Sequence, residues 1–164
     1  MKRTAIYPGT FDPLTMGHFD LIQRSAALFE KVIVVVAGTS SKATGMFGIE
    51  ARMAMIRESI AETGITNIEV DRLDCLLVEY CRRRGVGVVV RGLRVYSDFE
   101  YEFQMALINK SMYPQAETVF LMTSQENLFL SSSIVKQIAG YGGDISGFVD
   151  KRTCEEITKR LSYK

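Results

Sequence analysis

The chain has 164 residues, 47% of them apolar, with 20 Lys and Arg against 19 Asp and Glu for a net charge of +1. That length buries a sizeable core without disulfides or metal, and the charge balance excludes intrinsic disorder, which needs low hydrophobicity and high net charge. It also excludes an extended nucleic-acid surface, which carries a large basic excess. Cys75, Cys81 and Cys154 are odd in number and form no CxxC pair, so neither a disulfide framework nor a zinc site is expected. Three thiols packed as small hydrophobes point to a reducing compartment. The segment from Met1 reaches Pro8 before any signal-peptide stretch, and no apolar run approaches the roughly 20 residues of a membrane span. The expectation is one cytoplasmic domain over 1–164, with no membrane or nucleic-acid partner.

Along the chain, Thr4 to Tyr7 reads as a short strand stopped by Pro8-Gly9. Gly17 to Phe29 places Ile22, Ala26 and Phe29 at helical spacing. Lys31 to Ala37 holds five consecutive Val and Ile residues, the pattern of a strand buried on both faces. Gly38 to Gly48 is a polar loop. Ile49, Met53, Ile56 and Ile60 then form a helical stripe, and Ile68 and Val70 alternate as in a strand near a sheet edge. Leu76, Leu77, Tyr80 and Cys81 give a short helix with Arg82 to Arg84 in its last turn, where cations suit the helix dipole. Val86 to Val90 is a buried strand ending at Arg91. Ser97-Asp98-Phe99-Glu100 reads as a capping box opening a helix to about Met112, with Phe99, Phe103 and Ala106 facing in. Thr118 to Met122 is a fifth strand, and helices follow at Ser131 to Ala139 and Lys151 to Leu161.

Five strands alternating with helices predict an α/β fold, a doubly wound five-stranded parallel sheet with right-handed crossovers. In such sheets ligands bind beyond the carboxyl ends of the strands, where the strand order reverses.

The strand ends carry phosphate chemistry. Beyond the first lies Pro8-Gly9-Thr10-Phe11-Asp12-Pro13-Leu14-Thr15-Met16-Gly17-His18, with a glycine turn, hydroxyls and a helix start. A helix N-terminus offers unpaired N–H groups to an anion, and the chain's single histidine, His18, projects from that turn; taken alone, the segment reads sooner as an ordinary turn with the histidine as a polar cap. Lys42 stands in the loop after the second strand. Arg91 and Arg94 flank Gly92 after the fourth, with Asp98 and Glu100 as candidate ion-pair partners, and arginine suits bidentate phosphate binding. Ser131 to Ser133 open a late helix, where one serine suffices as a cap and three can also cradle an anion. No second histidine or paired-carboxylate motif accompanies these residues, which leaves phosphate-centred chemistry without a covalent intermediate.

Thr15-Met16-Gly17-His18 resembles the TxGH signature of a nucleotidyltransferase superfamily. Together with Arg91-Gly92-Leu93-Arg94, Asp98 to Glu102 and Ser131 to Ser133, nearly the whole chain is similar to the phosphopantetheine adenylyltransferase family. That resemblance implies a Rossmann-like nucleotidyltransferase fold. It implies transfer of the adenylyl group of ATP to 4′-phosphopantetheine, releasing dephospho-coenzyme A and pyrophosphate by direct in-line attack. It implies His18 as transition-state stabiliser, with Thr10, Lys42, Leu77 and Arg91 on phosphopantetheine. It assigns ATP to Thr10, Phe11, His18, Gly92, Leu93, Arg94, Glu102, Asn127, Leu128, Phe129, Leu130, Ser131, Ser132 and Ser133. Mg²⁺ held mainly through substrate phosphates, with no protein metal ligands, a homohexamer, and binding of coenzyme A in the pantetheine site belong to the same implication. Two other readings compete. One is a TxGH transferase acting on another acceptor, such as nicotinamide mononucleotide or glycerol phosphate. The other is a non-catalytic nucleotide-binding module, which has no need of His18.

Overall fold

The middle of β2 (Lys31–Ala37) is buried from Val32 to Val36 because β1 (Thr4–Gly9) pairs on one side and β3 (Ile68–Leu73) on the other. The computed structural model describes residues 3–38, 45–94 and 96–162, with backbone alone at 96–98. With β4 (Val88–Leu93) and β5 (Glu117–Met122) the strands form one parallel sheet in the order β3-β2-β1-β4-β5. Successive side chains of a strand point to opposite faces. Ala5, Tyr7, Val32, Val34 and Val36 therefore meet Leu21 and Ile22 of α1 (Met16–Leu28) and Met53, Ile56 and Ile60 of α2 (Ile49–Ala61). Ile6, Ile33, Val35 and Val89 meet Tyr80 and Cys81 of α3 (Leu77–Arg84) on the other face. α4 (Tyr96–Met112) follows β4, and α5 (Ser132–Gly140) packs with α6 (Lys151–Ser162) around Val135 and Ile157. The doubly wound parallel sheet is as expected, and β3 lies at the edge its alternation indicated. Its neighbour β2 has the full burial its unbroken Val/Ile run called for.

Four local expectations change. β1 continues through Pro8 and Gly9, which pair in register with Val35 and Val36. β4 begins at Val88 because Gly85, at φ +63°, and Val86 close α3: the Val86 N–H donates back to the Cys81 carbonyl at 3.0 Å. It then runs past Arg91 to Leu93, in register with Phe120 to Met122 of β5. Leu76 precedes α3 and is exposed, while Val78 takes the buried place. α4 starts at Tyr96, so Ser97 lies inside its first turn rather than capping it, and Phe99 and Phe103 are exposed. The inward face of α4 is that of Glu102, Met105, Ala106 and Asn109, whose spacing turns the two phenylalanines outward. The three cysteines form no disulfide, and Cys81 is fully buried. Among the described residues no helix is long and apolar enough to cross a membrane.

β1 and β4 share a single ladder pair, Ile6 with Val89, whereas β1 and β2 share six. This is where the strand order reverses. Beyond Ile6 the two strands part, and a crevice opens at their carboxyl ends.

Candidate functional site at the reversal of strand order

The crevice is a cleft of about 630 Å³, within the range that holds a small-molecule ligand. On its β1 side, Thr15 caps α1 and receives the His18 N–H on its hydroxyl at 3.4 Å. The bond is returned: the Thr15 N–H donates to His18 Nδ1 at 3.2 Å, with the Thr15 hydroxyl 2.9 Å from the same nitrogen. This is a capping box in which histidine takes the place usual for Glu or Gln. A ring nitrogen that accepts a main-chain N–H carries no proton, so in the neutral ring the proton sits on Nε2. Burial, then the charges of Arg94 and Arg91, hold the imidazole pKa down at about 4. At neutral pH His18 is thus an uncharged donor with a fixed tautomer. The Phe11 ring meets it edge-on at 5.2 Å and Tyr7 at 5.5 Å.

Phe11 reaches that position from φ +49°, a left-handed conformation uncommon outside glycine. Its ring lies over Gly9, where a Cβ would stand 2.7 Å from Phe11 Cζ, so Gly9 is required by close approach. Gly92 is tight in the same way, a Cβ there meeting Leu21 Cδ1 at 2.3 Å.

A direct test of the histidine's state is available because it is the chain's only one. Nitrogen NMR is expected to show a neutral ring with Nε2 protonated from pH 8 down to about 5.5, and a midpoint near the ordinary value of about 6.5 overturns the assignment. The sign for stability follows. The unfolded ring binds its proton near 6.5 and the folded ring near 4. His18 therefore contributes stability above 6.5 that is lost as pH falls toward 4.

Across the cleft, Arg91 is held by Glu102: Nε donates to Oε2 at 2.6 Å and Nη2 to Oε1, while Nη1 donates to the Pro8 carbonyl at 2.8 Å. Burial works against the Arg91 charge, but the Glu102 carboxylate outweighs it and raises the pKa. The partner of Arg91 is therefore Glu102, rather than Glu100 or Asp98, whose side chain lies outside the described set. Arg94 donates to the Leu130 carbonyl at 3.1 Å. Of the serines, Ser131 caps α5 by accepting the Ile134 N–H at 3.2 Å, and Ser132 donates to the Pro13 carbonyl at 2.8 Å.

The structure brings Thr10, His18, Leu77, Arg91, Gly92, Arg94, Glu102, Leu130 and Ser131 to Ser133 together on this one cleft. It does not bring the side chains of Phe11, Leu93, Asn127, Leu128 or Phe129 to its walls. Phe11 and Leu93 are buried in the core, Asn127 donates to the Ser124 hydroxyl at 2.8 Å, and Phe129 packs on Phe148. Lys42 lies outside the described residues. Further along, Asp12 accepts the Met46 and Phe47 N–H groups at 2.9 and 2.8 Å and pairs with Lys136 at 3.1 Å. Burial raises the Asp12 pKa, but those N–H groups and Lys136 prevail and hold it below the usual carboxylate range.

The sequence offers His18 as a polar cap but does not show its reciprocal bonds with Thr15, for which the T-x-x-H spacing was the available signal. Sequence reasoning also missed the α4 wall, which the 102, 105, 106, 109 spacing could have shown. Four further arginines stand on carbonyls: Arg52 on Thr10 and Ala37, Arg24 on Met122 at 2.6 Å, Arg57 on Val70 at 3.1 Å, and Arg82 on Met112. Among the described residues no three His, Cys, Asp or Glu side chains gather as a metal site.

Residues 6–138 match the family described as cytidylyltransferase-like. Over 160 residues the chain is 48% identical to the phosphopantetheine adenylyltransferase of Dictyoglomus turgidum, covering 98% of each protein. It is 45% identical over 161 residues to that of Anaeromyxobacter sp. strain K, covering 98% of this chain and 96% of the other. Among solved structures, Plasmodium falciparum nicotinic acid mononucleotide adenylyltransferase complexed with NaAD superposes with a TM-score of 0.71 at 17% identity, covering 99% of this chain and 98% of that one. A bifunctional NMN adenylyltransferase/ADP ribose pyrophosphatase of Francisella tularensis, complexed with AMP and a Mn ion, gives 0.74 at 14% identity over 99% of this chain and 50% of that one. At such identities the structural likeness speaks for the Rossmann-like fold. The sequence matches at 45% and 48% run nearly end to end, and on them the chain belongs to the phosphopantetheine adenylyltransferase family of cytidylyltransferase-like nucleotidyltransferases.

Proposed function

We propose that this protein transfers the adenylyl group of ATP to 4′-phosphopantetheine, giving dephospho-coenzyme A and pyrophosphate. The single observation that carries the mechanism is the His18 imidazole, held neutral with its Nε2 proton presented at the β1–β4 crevice. An acceptor phosphate with a second pKa near 6 is already largely dianionic at neutral pH and needs no general base. One of its oxygens attacks the α-phosphorus in line. That P–O bond forms as the bond to the β-phosphate oxygen breaks, and pyrophosphate leaves with the electron pair. The Nε2–H donates to the charge that builds on the α-phosphoryl oxygens, an interaction stronger in the transition state than in the ground state.

In this reading Thr10, Lys42 and Arg91 hold the phosphopantetheine phosphate and Leu77 flanks its arm. Gly92, Arg94, Glu102 and Leu130 to Ser133 face ATP. Phe11, Leu93, Asn127, Leu128 and Phe129 contribute through backbone, since their side chains are not among those lining the cleft. The cleft walls present hydroxyls, amides and cations, and its nearby carboxylates Asp12 and Glu102 are taken up by Lys136 and Arg91. Mg²⁺ fits such a lining through substrate phosphates and water, where it supplies charge neutralisation. Coenzyme A, which shares the pantetheine arm, fits the same cleft. A homohexamer acting as one cytoplasmic nucleotidyltransferase domain per chain completes the reading. Its support is the outer face of α4, where Phe99 and Phe103 stack on each other and, with Leu107, remain exposed.

Pyrophosphate release with ATP and a panel of acceptors tests the reading. Turnover with phosphopantetheine and none with nicotinamide mononucleotide or glycerol phosphate is expected. The reverse pattern moves the protein to another acceptor, and no turnover with any acceptor favours a binding module.

A further inference from the structure

Arg52, in the first turn of α2, is 3% exposed, yet among the described residues it forms no ion pair. Its Nη1 donates to the Thr10 carbonyl at 2.6 Å and to the Ala37 carbonyl at 2.9 Å, and its Nε is buried without an acceptor. Removing a cation from water without a counter-charge is costly, and an apolar side chain of similar volume is often at least as stable in such a place. Packing alone therefore does not account for an arginine here. Its two partners stand at the ends of β1 and β2 on the cleft: Thr10 and Ala37 both line it. Arg52 stands behind the wall that these two residues form, whereas Arg91, on the wall itself, has its carboxylate. Arg52 has carbonyl dipoles only.

We propose that Arg52 is a positioning residue for adenylyl transfer, which locks the Thr10 turn to the end of β2 and supplies a fixed buried charge whose counter-ion is the bound substrate phosphate. This rests on the adenylyltransferase reading above. It gives the charge a function that no ion pair among the described residues provides. It also couples anion binding to local stability.

The test compares wild type with R52M and R52K. Melting temperature is measured with and without saturating pyrophosphate, and KM and kcat are measured for both substrates. Wild type is expected to be stabilised by pyrophosphate. R52M is expected to lose more than half of that rise in melting temperature, and its KM for phosphopantetheine to increase about tenfold, the scale of losing the outer partner of a binding group. R52K keeps the charge but not the planar fork that spans two carbonyls. It is expected to keep most of the pyrophosphate effect while kcat/KM stays about tenfold down. If R52M melts lower but keeps its pyrophosphate shift and both KM values within about twofold, Arg52 is merely structural and the proposal is wrong. If R52M does not fold, R52K decides: wild-type kcat/KM in that variant overturns the positioning role. If wild type itself shows neither a pyrophosphate shift nor turnover, the adenylyltransferase reading has failed, and the proposal falls with it.

Discussion

Replacing His18 by alanine is expected to lower kcat by a factor of about 10²–10³, the cost of removing one preorganised donor from a developing oxyanion, while ATP affinity stays nearly unchanged. The reason lies in the capping box. Thr15 uses its N–H and hydroxyl to fix Nδ1, so the ring reaches the cleft already oriented and with its proton on the outer nitrogen. Nothing has to reorganise when charge appears. The pKa near 4 keeps the ring uncharged at neutral pH, so it offers little to a ground-state triphosphate beyond one hydrogen bond. Loss at the transition state and near-neutrality in binding are the mark of such a group. Pre-steady-state turnover and equilibrium ATP titration on the same variant separate the two. A kcat within a few-fold of wild type removes His18 from the chemistry.

Arg91→Ala is expected to act mainly on the acceptor. Losing charge-assisted hydrogen bonds of about 1.5–3 kcal/mol corresponds to roughly 10- to 150-fold in KM for phosphopantetheine, with a smaller change for ATP. Equal changes in both give Arg91 a shared role. The same substitution strands Glu102, which is buried at 9% exposure and takes two of the arginine's N–H groups. A buried carboxylate stripped of its partner destabilises by several kcal/mol, about 3 or more in measured pairs. Adding Glu102→Gln to Arg91→Ala is therefore expected to recover melting temperature without recovering KM. If the double variant melts no higher than the single one, the ion pair does not set the stability of this wall.

What the sequence showed and what it hid divide along one line. Val32 to Val36 announced a central strand because an unbroken β-branched run has few other uses, and His18 announced itself by being single and next to a helix start. Those signals are local. The Arg91–Glu102 pair spans 11 residues, and its closure depends on β4 continuing three residues past Val90 and on which face of α4 turns inward. Phe99 and Phe103 read as the inward face because hydrophobicity alone points them there, whereas the cleft claims the face of Glu102, Met105, Ala106 and Asn109. Arg52 sits beside the apolar stripe of α2 and no local pattern marks it, yet the ends of β1 and β2 fold over it. The serines of 131 to 133 read equally as cap and cradle, and two of the three hydroxyls are engaged in holding the loop.

A parallel sheet ends in loops whose carbonyl oxygens crowd one edge, and an edge of carbonyls repels phosphate. Here the carbonyls nearest the strand ends are plugged by arginines: Pro8 by Arg91, Ala37 by Arg52 and Met122 by Arg24. Each plug takes up a carbonyl's partial negative charge, with Glu102 and Asp20 balancing Arg91 and Arg24, so the rim loses its carbonyl repulsion without any change in the chain's total of +1. The attraction for a polyanion is thus written into the backbone finish of the sheet. It does not depend on a basic patch spread over the surface, which is why the overall charge carries no trace of it.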